Sequence, residues 1–270
     1  MRFGKDIPQV QAAFLDRALP ALAEDRRLFG VAAGGSYLGR RMDEHSDIDL
    51  VIGVVAEAHT EVMGERAAIA GRLGRLLAAF TGEHVGDARL LICLYGPPLV
   101  HVDLKFLRAD EMEARVENPE VLWEREGRMT AAFSRGVARF PQPDLQWIED
   151  RFWTWVHYTT SKIGRGELFE THDGLAFLRA RVLGPLALLE QGARPAGVRR
   201  IESMAPAFAE AMEGTLGRHD PGACAEALLV AAELYRGLRS RLATKDLVRR
   251  RDAEEGVMRD LGAMVARLRR

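Results

Sequence analysis

Cysteine is almost missing from this chain of 270 residues: Cys93 and Cys224 are the only two. Two thiols cannot build a disulfide framework, and this pair has no metal-ligand spacing, so neither a stapled secreted scaffold nor a zinc module fits. A reducing, cytoplasmic setting is expected instead. Long apolar runs are lacking as well. No stretch approaches the roughly 18 residues of a membrane span, and the N-terminal "MRFGKDIPQVQAAF" has no apolar core of signal-peptide length. Nor is there a charge excess. The formal net charge of −1 gives no global field to draw the chain onto nucleic acid or an anionic membrane. Gly-x-x-x-x-Gly-Lys-Ser/Thr, Gly-x-Gly-x-x-Gly, internal repeats and low-complexity tracts are all absent. What is left is a soluble composition, 47% apolar and 29% charged, in a chain long enough for two compact domains.

Periodicity divides the chain. Val10, Phe14, Leu15, Ala18 and Leu22 recur at helical spacing, which predicts an amphipathic helix from Pro8 to about Asp25. "LFGVAA" (residues 28–33) reads as a short strand feeding the turn Gly34-Gly35, and "DIDLVIGVV" reads as a second strand. Residues 57–80 read as a helix closed by Thr81-Gly82. "RLLICLYG" and "LVHVDLKFL" flank Pro97-Pro98 and read as a hairpin. In its second strand Val100, Val102, Leu104 and Phe106 face one way, and His101, Asp103 and Lys105 the other. Residues 109–139 are mixed and predicted helical, with an acidic run of Asp110, Glu111, Glu113, Glu117, Glu120, Glu124 and Glu126 that reads as a solvated face. The two prolines of "FPQPDL" (residues 140–145) mark a boundary, and beyond it only helical periodicities follow. An α+β fold with a mixed sheet and flanking helices over residues 1–140, then an all-helical domain over 141–270, is the expected layout.

The chemistry gathers around two polar strand faces. Asp47 and Asp49 project from one face because strand side chains alternate, while Ile48, Leu50 and Ile52 point to the other. Two carboxylates on one face repel each other, so a cation is their natural partner, and an all-oxygen ligand set suits Mg²⁺. Asp103 sits on the polar face of a later strand. If that strand lies beside the first, three carboxylates converge into a kit for two-metal phosphoryl or nucleotidyl transfer. Gly35 lets backbone approach a phosphate, Ser36 offers a hydroxyl, and Lys105, Arg40 and Arg41 offer positive charge, although the two arginines also read as solvated loop residues.

"GGSYLGRRMDEHSDIDLVI" resembles the signature of the DNA polymerase beta-type nucleotidyltransferase superfamily: a Gly-Ser turn, about ten residues, Asp-hydrophobic-Asp-hydrophobic, then an acidic residue on a later strand, here in "HVDLKF". The turn continues as Tyr37-Leu38-Gly39-Arg40, where many small members have Gly-Ser-x-Ala-Arg-Gly. The resemblance covers roughly the first 107 residues. It implies a nucleotidyltransferase core in which Gly35 and Ser36 bind nucleotide phosphates, Asp47 and Asp49 hold two Mg²⁺ ions, and Asp103 ligates the catalytic one. The second half, through "RFWTWVHYTTSKIGRGELFE" (residues 151–170) and "GVRRIE", resembles the C-terminal domain of bacterial antibiotic (aminoglycoside-type) nucleotidyltransferases. That resemblance implies a cleft-closing, substrate-binding helical domain with Lys162 on the triphosphate and Glu167 as base on the acceptor hydroxyl. Trp153, Trp155 and Tyr158 on the same stretch read as core aromatics.

The expected activity is transfer of a nucleoside monophosphate, AMP from ATP, onto a hydroxyl of a small-molecule acceptor such as an aminoglycoside-like antibiotic, with release of pyrophosphate. Antibiotic resistance would be its physiological setting. Two alternatives keep the same core: transfer to a protein hydroxyl, and a non-catalytic nucleotide-binding or antitoxin-like module. The intact set of Asp47, Asp49 and Asp103 weighs against the last.

Overall fold

The structure, a computed structural model, describes residues 7–269. Six residues of the N-terminal stretch read above, and Arg270 at the end of the last expected helix, lie outside them. The chain groups into two compact units, Met1–Phe140 and Pro141–Arg270.

The first unit opens with α1 (Gln9–Glu24), whose Phe14, Leu15, Ala18 and Leu22 are buried as the helical spacing requires. It continues with β1 (Leu28–Ala33), β2 (Ile48–Val54), α2 (His59–Gly71), β3 (Leu76–Gly82), β4 (Asp87–Tyr95), β5 (Val100–Leu107), β6 (Glu120–Glu124) and α3 (Arg128–Ser134). The six strands form one sheet in the order β3-β4-β5-β2-β1-β6. It is mixed: β2 and β5, the central pair, run parallel, and every other neighbour runs antiparallel. Alternation then assigns the faces. Ile48, Leu50, Ile52, Val102, Leu104 and Phe106 pack with Phe14, Leu15 and Ala18 of α1. The opposite face is covered only in part, where Ala32 and Phe29 meet Met129 and Ala132 of α3.

Two expectations need correction. The helix expected over residues 57–80 is two elements, because α2 stops at Gly71 and Leu76–Gly82 is a strand paired with β4. Leu and Ala favour a helix locally, but the hydrogen-bonding edge of β4 decides the outcome. The second correction is in the segment 109–139, predicted helical. It contains β6, which pairs with β1 from Gly30↔Glu124 to Ala33↔Glu120.

The second unit, taken by itself, contains only helices among its described residues. They are α4 (Leu145–Gly164), α5 (Leu168–Leu178), α6 (Gly184–Glu190), α7 (Ile201–Met204), α8 (Pro206–Glu213), α9 (Pro221–Leu242) and α10 (Arg251–Leu268), with a π-helical segment, Arg179–Leu183, joining α5 to α6. Asp144 caps α4 by accepting from the Trp147 N–H, and Asp220 caps α9 by accepting from the Ala223 N–H, each at 2.9 Å. The core joins Phe152, Trp153 and Val156 of α4 to Leu228, Ala232 and Tyr235 of α9.

Candidate active site

The turn between β1 and β2 is fixed from both sides. The Gly34 N–H donates to the Asp49 carbonyl at 2.9 Å, and the Gly35 N–H donates to Glu117 Oε1 at 2.8 Å. Gly35 adopts φ +57°, in the left-handed region that favours glycine. A Cβ there would overlap Asp49 Oδ2, and a Cβ on Gly34 would come within 2.6 Å of Glu117 Oε1. "GGS" is therefore a cradle that only glycine backbone fits. Next along it, Ser36 Oγ is buried and has no hydrogen-bond partner. A buried hydroxyl without a partner is costly, so the turn has unused capacity for an oxygen ligand.

On the partly open face of the sheet, the parallel register sets Asp49 beside Asp103 and Val51 beside Lys105. Asp47 lies one residue before β2. Continuing the same register puts it beside His101, and both line one depression together with Gln11, His45 and Ser46. Asp49, Asp103 and Lys105 line a different cavity of about 270 Å³, shared with Gly34, Arg89, Arg115 and Glu117. His101 Nε2 and Asp103 Oδ1, 3.0 Å apart, join the two. Thus Asp49 and Asp103 are brought together, and Asp47 opens on the neighbouring side.

In the cavity of Asp49 and Asp103, Lys105 and Arg89 are held by ion pairs. Lys105 Nζ lies 2.8 Å from Asp87 Oδ2, and Arg89 Nε lies 2.8 Å from Asp87 Oδ1. The Arg89 guanidinium, and after it Lys105, keeps the Asp87 carboxyl well below the usual carboxylate range against the opposing effect of burial. Arg40 and Arg41 are exposed, as solvated loop charges would be.

The donor set suits a divalent cation in kind. Asp47, Asp49 and Asp103 offer hard carboxylate oxygens, and the two adjacent strand carboxylates gain from a positive charge between them. Among the described residues, however, no group of three or more His, Cys, Asp or Glu side chains is drawn together closely enough to hold a metal ion. The protein atoms alone present a pair of carboxylates, with the third to one side.

In the second unit, Lys162 and Glu167 meet each other. Lys162 Nζ lies 2.7 Å from Glu167 Oε2 and 3.0 Å from Glu170 Oε2, and it sits over the Tyr158 ring. Glu167 first, then Glu170, pushes the lysine's pKa above its ordinary value. Trp153 is buried as a core residue, whereas Tyr158 is half exposed, against the core expectation, and its hydroxyl donates to Glu170.

Sequence reasoning missed Glu117, His101 and Arg89. Glu117 was submerged in an acidic run whose spacing showed nothing of the turn 82 residues earlier. His101 did carry a signal, because it shares a strand face with Asp103, whereas nothing in the sequence marked Arg89.

A comparison with protein-family models finds no match, and neither does one with curated proteins. Among solved structures, the chain is similar to an aminoglycoside 6-adenyltransferase from Bacillus subtilis, at 15% identity and a TM-score of 0.37, covering 96% of this chain and 99% of that one. It is also similar to a nucleotidyltransferase-like protein from Exiguobacterium sibiricum, at 12% identity and a TM-score of 0.37, covering 94% of this chain and 89% of that one.

Proposed function

We propose that the protein is a nucleotidyltransferase that moves AMP from ATP onto a hydroxyl of a small molecule of the aminoglycoside type. One observation carries this reading: the Asp49–Asp103 pair on adjacent parallel strands lies beside a Gly34-Gly35-Ser36 cradle. Carboxylates in that position suit cations, and the cradle suits an anion; a nucleoside triphosphate with its divalent ion is both. In the reaction, the acceptor oxygen forms a bond to the α-phosphorus as the bond to the bridging oxygen breaks. Pyrophosphate leaves, and the hydroxyl proton passes to a carboxylate. Gly35 N–H and Ser36 Oγ hold phosphate oxygens, Lys105 adds charge from the cavity wall, and the His101 contact orients Asp103. Mg²⁺ ions held by Asp49 and Asp103, with Asp47 as a further ligand, would supply charge neutralisation and Lewis-acid polarisation at the phosphates.

The test is incubation with ATP labelled at the α-phosphate, Mg²⁺ and a panel of aminoglycosides. A labelled drug is the expected result, and a labelled protein would move the assignment to protein modification. No transfer by the wild type, or undiminished transfer by Asp49→Asn and Asp103→Asn, would overturn the reading. The roles that the resemblance gives Lys162 and Glu167 are read in the same assay. Lys162→Ala is expected to raise KM for ATP, and Glu167→Gln to lower kcat.

A further inference from the structure

Glu117 belongs to an acidic run, yet it is not a solvated charge. Its carboxylate accepts the Gly35 N–H at 2.8 Å, and it stands so close to the turn that only the missing side chain of Gly34 makes room for it. On the other side of the turn, Gly35 makes the same allowance for Asp49. The two glycines thus admit one carboxylate each. The carboxylate from the strand has a place in the proposed chemistry; Glu117, reached from the segment after β5, has none so far.

The amide it engages gives the role. An N–H has a single proton to donate and serves one strong acceptor at a time. The Gly35 N–H is one of the groups that the proposed function gives to a substrate phosphate. Ser36 Oγ, next along the turn, has no partner, and Gly34 and Glu117 line one cavity with Lys105 and Arg115, so a polyphosphate reaching the turn from that cavity would meet several groups but find one amide already taken. We infer that Glu117 is an internal competitor of the substrate, its carboxylate standing in for a phosphate on the Gly35 amide until the nucleotide displaces it. The identity of the displacing anion rests on the nucleotidyltransferase reading; the contact does not. In the nucleotide-free protein Glu117 is a positioning residue. It satisfies the turn's N–H and keeps Gly35 in its left-handed conformation, and binding exchanges one charge-assisted hydrogen bond for another.

The inference is tested by titrating wild type, Glu117→Gln and Glu117→Asp with inorganic tripolyphosphate, without metal, by calorimetry. Thermal melting confirms that each variant is folded, and the Gly35 amide is followed by NMR. Glutamine keeps the reach but holds the amide as a neutral, weaker acceptor; aspartate keeps the charge but loses the reach. Both are expected to bind tripolyphosphate more tightly, on the order of tenfold for Gln. In the ligand-free wild type the Gly35 amide proton should be protected from exchange, and in the aspartate variant it should not. Weaker or unchanged binding in both variants, or no binding by any of the three proteins, overturns the inference. Tightening in Gln alone also overturns it, since that pattern reports general charge repulsion. Label transfer by wild type is scored separately. If it fails while both variants still tighten, the enzyme reading falls and the competitor stands; if it succeeds with binding unmoved, the competitor falls alone.

Discussion

Asp49 of β2 and Asp103 of β5 are side-by-side partners across the only parallel strand pair in the described sheet, and both line one cavity. Strands are spaced about 4.8 Å apart, which holds the two carboxylates close enough to repel each other without a counter-charge. A divalent cation should therefore stabilise the fold by mass action. Added Mg²⁺ is expected to raise the melting temperature of wild type and to leave Asp49→Asn and Asp103→Asn unmoved. Each variant is expected to lose label transfer by about a hundredfold or more. Differential scanning fluorimetry with and without Mg²⁺ checks the first outcome, and an equal rise in all three proteins would remove the carboxylate pair from metal binding.

Gly35→Ala addresses the cradle. The left-handed backbone alone costs alanine about 1–2 kcal/mol, and the new methyl would also overlap Asp49 Oδ2. Lower thermal stability and a rise in KM for ATP of tenfold or more are expected together. Gly127→Ala is the control, because it shares the positive φ but has nothing within 4 Å of the added carbon. It should pay the backbone cost and leave KM unchanged.

In the second unit, Arg239 is buried between Glu149 and Glu254, with contacts of 3.1 Å and 2.9 Å. Glu149 also accepts from the Tyr235 hydroxyl and from the Arg250 N–H, and it is fully buried. Arg239→Met leaves two buried carboxylates without this cation, at an expected cost of about 3–5 kcal/mol. Urea unfolding followed by tryptophan fluorescence measures it, since Trp147, Trp153 and Trp155 report on this unit. A cost under 1 kcal/mol would show that Arg236 and Arg249, which also contact Glu254, already suffice.

Acid stability follows from Asp25. The Arg27 side chain, opposed by burial and helped by Arg72, lowers its pKa from 3.8 to about 2. A folded-state pKa below the unfolded one adds stability that is complete above the unfolded value and fades as pH falls through the folded one. The Asp25 contribution should thus be intact above about pH 4 and lost toward pH 2. Asp25→Asn should flatten that part of the stability curve in urea melts at stepped pH, and an unchanged slope would count against it.

What could be read in advance depended on range. The alternation in "HVDLKF" and in "DIDLVI" assigns each aspartate to a polar face from a few residues, because a strand's period is local. That β2 and β5 are neighbours is not local, and only the register places Asp49 beside Asp103. β3 was illegible for the opposite reason. Leu76, Leu77, Ala78 and Ala79 carry a helical preference that the edge of β4 overrides. Glu117 was illegible altogether, since nothing in a run of acids marks the one that reaches a glycine amide on another element.

Parallel pairing has one more implication. A parallel neighbour cannot be reached by a tight turn, and here α2, β3 and β4 intervene between β2 and β5. During synthesis the nascent chain displays the glycine turn and its first two aspartates long before Asp103 has emerged. No fragment ending ahead of Val100 can assemble the carboxylate pair, so the proposed cation affinity at this place would be a late event that reports closure of the sheet's centre.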